Sequence, residues 1–242
     1  MEPNIKTWKQ TLLWVGLFAL AMGYLESAVV VYLREIYYPD GFSFPLKAMS
    51  KDIAITELFR EAATIIMLIS IGLMAAKKPI IRFALFIYSF AIWDIFYYIF
   101  LYLLIGWPAT LLDWDLLFLI PVAWIGPVIA PVINSLTMIV LALSIIKAEY
   151  RTGKPELKML EWALLIIGSV ITIMGYTFDY TLFMINSAPA DDFFLTVLHY
   201  VPTHFNWWLF ALGEILFIYA LLNYWRRIIL NRAKPRETIE NS

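Results

Sequence analysis

Residues 56–75, TELFREAATIIMLISIGLMA, are apolar enough to cross a membrane as one helix, yet their first turns carry Glu57, Arg60 and Glu61. Hydrocarbon strongly disfavours such groups unless they are paired or face a cavity. On a helix Glu57 and Glu61 are four apart and share a face, and Arg60, three after Glu57, is within reach of it. That face must therefore look at protein. The stretch predicts an all-α, polytopic membrane bundle with a polar site inside it.

The rest of the chain agrees. Of 242 residues, 62% are hydrophobic and 15% charged, with a mean hydropathy of +0.76, values outside those of soluble domains. There is no cysteine, which excludes disulfide frameworks, thiolate metal sites, iron–sulfur clusters and cysteine nucleophiles; two histidines restrict imidazole chemistry almost as tightly. No Walker loop, GxGxxG or GxSxG pattern is present, so neither nucleotide chemistry nor an ordinary serine hydrolase is supported, and nothing suggests a nucleic-acid partner.

Residues 1–10 read as a short tail, 11–225 as one membrane-embedded helical domain, and 226–242 as a basic tail. The first span, Thr11–Leu33, is expected to be retained, not cleaved as a signal peptide. It carries a small-residue stripe, Gly16, Ala19, Gly23 and Ser27, bordered by Glu26. The second span ends at Lys77-Lys78-Pro79. The third, about Ile81–Gly106, holds Asp94 near its middle, with Tyr97 and Tyr98 three and four residues on, so that a phenol on the same face could bond the carboxylate.

Leu116–Lys147 is too long for one straight span and contains Pro121, Gly126, Pro127 and Pro131. This predicts either a short re-entrant or interfacial piece before about Gly126 or a strongly kinked helix, with Pro127, Pro131, Asn134 and Met138 on its inward face. In the fifth span, Leu160–Met184, the positions Gly168, Thr172, Gly175 and Asp179 form a narrow small and polar stripe. The linker after it suits a short interfacial helix with His199 and His204 near its end. The last span, Phe205–Tyr224, holds Glu214.

Lysines and arginines gather between spans two and three, between four and five, and after six. The positive-inside rule then predicts six spans plus the irregular segment, both termini cytoplasmic, in the cell (inner or plasma) membrane; Arg34, Lys47 and Lys51 dissent weakly. On that topology almost every unusual polar group falls between the midplane and the outer face. The expected pocket is lined by Glu26, Glu61, Asp94 and Glu214 as candidate acid/base groups, with Arg60, Glu57, Tyr97 and Asn134 binding. Arg60 would either neutralise a carboxylate or take an anionic head group.

Several functions fit such a pocket. His199, His204 and Glu214 are candidate ligands for a divalent zinc, iron or manganese ion, which would make the protein a metal-assisted membrane enzyme acting on a lipid-like substrate. A non-catalytic subunit or assembly factor, held together by internal ion pairs and bound to a membrane-protein partner, needs only the pairing. Ionisable groups at mid-depth beside a broken helix also suit a proton- or ion-coupled transporter. In outline the chain resembles the membrane hydrolase superfamily that includes the alkaline ceramidases, which implies a polar zinc site. That site uses three histidines against two in this chain, and no residue is carried over.

Overall fold

The computed structural model describes residues 5–187 and 199–232, with side chains over 8–187 and 199–229. The linker helix expected around Asp191 and Asp192, and most of the basic tail, lie outside the described residues. Among the described residues six helices are long and apolar enough to cross a membrane: α1 (Ile5–Tyr37), α2 (Lys51–Ala75), α3 (Pro79–Ile105), α4 (Ile129–Thr152), α5 (Met159–Ser187) and α6 (Trp207–Arg232). The protein is thus an all-α multi-pass bundle, as its apolar runs predict.

Packing follows the small residues. The third helix is central and touches α1, α2 and α4, while α4 leads on to α6, along which α5 lies. At Gly23 a Cβ would come within 2.9 Å of the Trp93 carbonyl, so the stripe on α1 is what lets α1 and α3 approach so closely. Much of α1 and α2 faces outward with large apolar side chains such as Trp14, Phe59 and Met74, the surface a bilayer solvates.

The irregular fourth region is neither a helix nor a kink. It is an antiparallel β-hairpin, β1 (Trp114–Phe118) and β2 (Trp124–Pro127), with an irregularity that brings Phe118 opposite Trp124. Of the two expectations the re-entrant one describes it, but with strand instead of helical backbone. Pro121 sits between the strands. Pro131 is the third residue of α4, where a helix amide has no partner to lose, so α4 starts there without a kink.

The hairpin dips into the bundle. Val128 and Ile129 donate their amides to the carbonyls of Asp113 and Leu111, so α4 starts level with the entry to β1. From there Phe118 lies five residues in, roughly 15 Å at strand spacing. Its ring lies 6.1 Å from both Phe90 and Trp93, and Trp93 is twelve residues, roughly 18 Å, inside α3. Both distances place the hairpin tip near mid-depth. Lipid offers no partner for peptide groups at that depth, and strand pairing satisfies most of them.

We call the hairpin's side of the bundle the hairpin end and the opposite side, where Lys78, Arg151 and Arg227 cluster, the basic end. The interior toward the basic end is an apolar layer built on Val15, Leu85, Leu141, Ile145 and Tyr224. Among the described residues this apolar character belongs to the interior and not to the helix termini. There Glu149 is buried against Lys78 (2.7 Å) and Glu161 against Arg227 (2.8 Å).

Candidate functional site

Toward the hairpin end the acids fall into three neighbourhoods. In the first, between α1 and α2, Arg60 reaches Glu26 through Nη1 (2.5 Å) and Glu57 through Nε (2.9 Å) and Nη2 (2.5 Å). Thr64 also donates to Glu26, at 3.2 Å. The guanidinium is thereby taken up within the protein, which favours the neutralising role over the head-group role. Glu61 turns instead to the hairpin and accepts the Leu119 amide with both oxygens, at 2.9 and 3.0 Å. Leu119 directly follows β1, so its amide has left the strand ladder at membrane depth, and Glu61 supplies the missing acceptor.

The second neighbourhood sits at the mouth of the hairpin. Arg34, at the end of α1, donates to Asp115 of β1 at 3.4 Å, and its guanidinium lies 3.7 Å from the Trp107 ring and 4.5 Å from that of Phe42. Burial lifts the Asp115 carboxyl to about 6, with the Arg34 charge and the Tyr98 and Tyr97 phenols pulling the other way. Neither the Asp115 Oδ2 nor the Arg34 Nη1 has a hydrogen-bond partner among the described residues.

The expected contact of the Tyr97 and Tyr98 phenols with Asp94 is corrected. Asp94 accepts its 2.8 Å bond from Ser135 of α4 and from neither phenol. An aromatic wall and a second helix approach α3 here, and sequence proximity loses to them.

The third neighbourhood lies between α4, α5 and α6. Thr137 donates to Glu214 at 2.8 Å, and Asn134, one turn earlier on α4, donates to the Tyr176 hydroxyl at 2.9 Å. Thr172 is one turn from Tyr176 on α5. It abuts Gly213, where a Cβ would collide with the Thr172 hydroxyl, so only glycine permits this crossing. The small stripe on α5 thus does face a neighbouring helix, and Asp179, at its end, accepts from Asn206 (3.0 Å).

Of the expected lining, Glu26, Glu57 and Arg60 come together and Glu61 turns to the hairpin, whereas Asp94 and Glu214 lie on other helix interfaces, each with its own hydroxyl donor. The metal set is not assembled. His204 is exposed, bonded to Thr203 and 3.9 Å from Asp179; His199 is exposed as well; Glu214 is buried two turns into α6. Among the described residues no three histidine, aspartate or glutamate side chains gather in a metal-binding group. A proline between the histidines and a buried acid so far along the helix are enough to keep them apart.

Sequence reasoning read Arg34 only as a topological charge and passed over Asp115. It also missed Ser135, Thr137 and Tyr176. The spacing of Asn134 and Thr137 on one face of α4 is the signal that could have found the third neighbourhood. At the hairpin end an open cleft of about 420 Å³ lies beside the Arg34 stack, lined by Phe42, Phe44, Trp107, Asp113, Trp114 and Pro202, and none of the predicted acids borders it.

Comparisons with protein-family models, with curated proteins and with solved structures found no match.

Proposed function

We propose that the protein is a proton- or cation-coupled membrane transporter, with both termini cytoplasmic in the cell membrane and the hairpin entering from the outer side. One observation carries this reading. Glu26, Glu57, Glu61, Asp94 and Glu214 bring five carboxylates into the spans toward the hairpin end, and among the described residues Arg60 is the one basic side chain set between them away from the helix ends. Hydrocarbon does not hold an excess of bare carboxylate charge; protons or cations must complete it. Asp94 and Glu214, held only by hydroxyls, are the groups with a position open for one.

The hairpin supports the same reading, because irregular backbone at membrane depth is what half-open translocation pathways use. The apolar layer toward the basic end would then be the closed side of the path. In reconstituted vesicles, sudden jumps in pH or cation concentration are expected to displace charge across the membrane, and Asp94→Asn to reduce that displacement at least tenfold. Folded wild-type protein giving no displacement with either jump would overturn the reading.

A membrane enzyme on a lipid-like substrate is the second reading. It draws on the Glu26–Arg60–Glu57 group, whose side chains keep partial exposure between α1 and α2. Turnover of vesicle lipid, followed by mass spectrometry and lost in Glu26→Gln, would favour it over transport. Without the histidine set at Glu214, it stands as carboxylate chemistry.

A further inference from the structure

We infer that the space between α4, α5 and α6 is a binding site for a single hard monovalent cation of the sodium class, held by Asn134, Thr172 and Glu214. This builds on the reading of the interior as cation-binding and gives that reading a place and an ion.

Three buried oxygens there have no hydrogen-bond partner: Asn134 Oδ1, Thr172 Oγ1 and Glu214 Oε1. Thr172 is 5% exposed and Glu214 7%, so bulk solvent does not reach them. Buried polar atoms are rarely left unmade, since each costs free energy comparable to a lost bond. Three such atoms, one on each of three packed helices, are the observation on which the proposed site rests.

Pairwise contacts place these three residues on neighbouring turns of the three helices. Thr137 fastens Glu214 to α4 and Asn134 fastens Tyr176 to the same helix one turn higher. Thr172 lies one turn below Tyr176 on α5, against the residue that precedes Glu214. Both Asn134 and Glu214 thus spend one polar atom on a protein partner and leave the other unpaired. The Asn134 amide nitrogen donates to Tyr176, which leaves its carbonyl oxygen, an acceptor, as the open atom.

Chemistry narrows the occupant. The unpaired set is a carboxylate oxygen, an amide oxygen and a hydroxyl, with neither sulfur nor imidazole, which is a ligand set for hard cations and not for zinc or copper. It carries one negative charge. A monovalent ion leaves the filled site neutral, whereas a divalent ion would leave a net positive charge in hydrocarbon.

Ion binding and ion-dependent stability test this directly. Purified wild-type protein in detergent is expected to bind isotopic sodium saturably, and its melting midpoint to rise with sodium chloride but not with choline chloride at equal ionic strength. Thr172→Val, of the same shape, is expected to weaken sodium binding at least tenfold, Thr172→Ser to restore it, and Glu214→Gln to abolish it. Asp115→Asn, at the hairpin mouth and outside this set, should leave it unchanged. Absence of saturable sodium binding by folded wild-type protein, or binding that Thr172→Val and Glu214→Gln leave intact, would overturn the site. If proton jumps displace charge in vesicles while sodium does not bind, the site fails and the transport reading stands; sodium binding without charge displacement keeps the site and overturns transport.

Discussion

The two ends of the bundle bury the same kind of side chain in opposite ways. At the basic end Glu161, fully buried, accepts from Arg227 at 2.8 and 3.1 Å, from the Lys158 amide and from Asn223, and Glu149 is closed off by Lys78. Toward the hairpin end, Asp94 and Glu214 have one hydroxyl donor each and no basic neighbour bonded to them. The first arrangement is complete without any ligand. The second is left with acceptor capacity and negative charge. The difference separates acids that tie helices together from acids placed to take something up.

The comparison is tested most severely at Glu161. Arg227→Ala strands its carboxylate, and a loss of about 3–5 kcal/mol is expected from reversible unfolding in micelles. If Glu161→Gln with Arg227→Ala does not recover a good part of that loss, the pair is not what holds the basic end.

The Arg34–Asp115 contact is the intermediate case, a buried acid with a cation at 3.4 Å that does not fully compensate it. Its carboxyl is raised from the ordinary 3.8 to about 6, so the folded protein holds this proton more tightly than the unfolded chain does. The contribution to stability is complete below about pH 4 and is lost as the pH climbs through about 6, with a magnitude of about 1–3 kcal/mol. Asp115→Asn should flatten that part of the stability–pH curve, and an unchanged curve would remove Asp115 from consideration.

At the hairpin tip, Glu61→Leu leaves the Leu119 amide without an acceptor and should cost about 1–3 kcal/mol. Glu61→Gln keeps an acceptor oxygen and should cost less, as melting midpoints of the two variants would show. Equal losses would mean that the negative charge, and not the capping of the amide, is what the hairpin needs.

The smallest effect on stability belongs to the acids read as functional. Without sodium the acid takes the proton that hydrocarbon demands, so Glu214→Gln keeps the Thr137 bond, exchanges one neutral group for another and should change the unfolding free energy by less than about 1 kcal/mol. A loss as large as that of Arg227→Ala would place Glu214 among the structural acids and erase the contrast between the two ends.

The sequence by itself determined what is local. Long apolar runs define six spans, because a span is a property of consecutive residues against the thickness of hydrocarbon. The stripe on α5 and the Glu57–Arg60 pairing were legible for the same reason, since helix periodicity places residues three and four apart on one face. Proline spacing announced irregular backbone before Gly126 but not its form, because a hairpin is decided by which residues pair across the turn. Only the tertiary structure decided which partner each acid has. Glu61 meets Leu119 across 58 residues, Asp94 meets Ser135 across 41 and Glu214 meets Thr137 across 77. Those pairings depend on the order in which helices pack and on how deep the hairpin reaches, and no pattern within a few turns of chain encodes either.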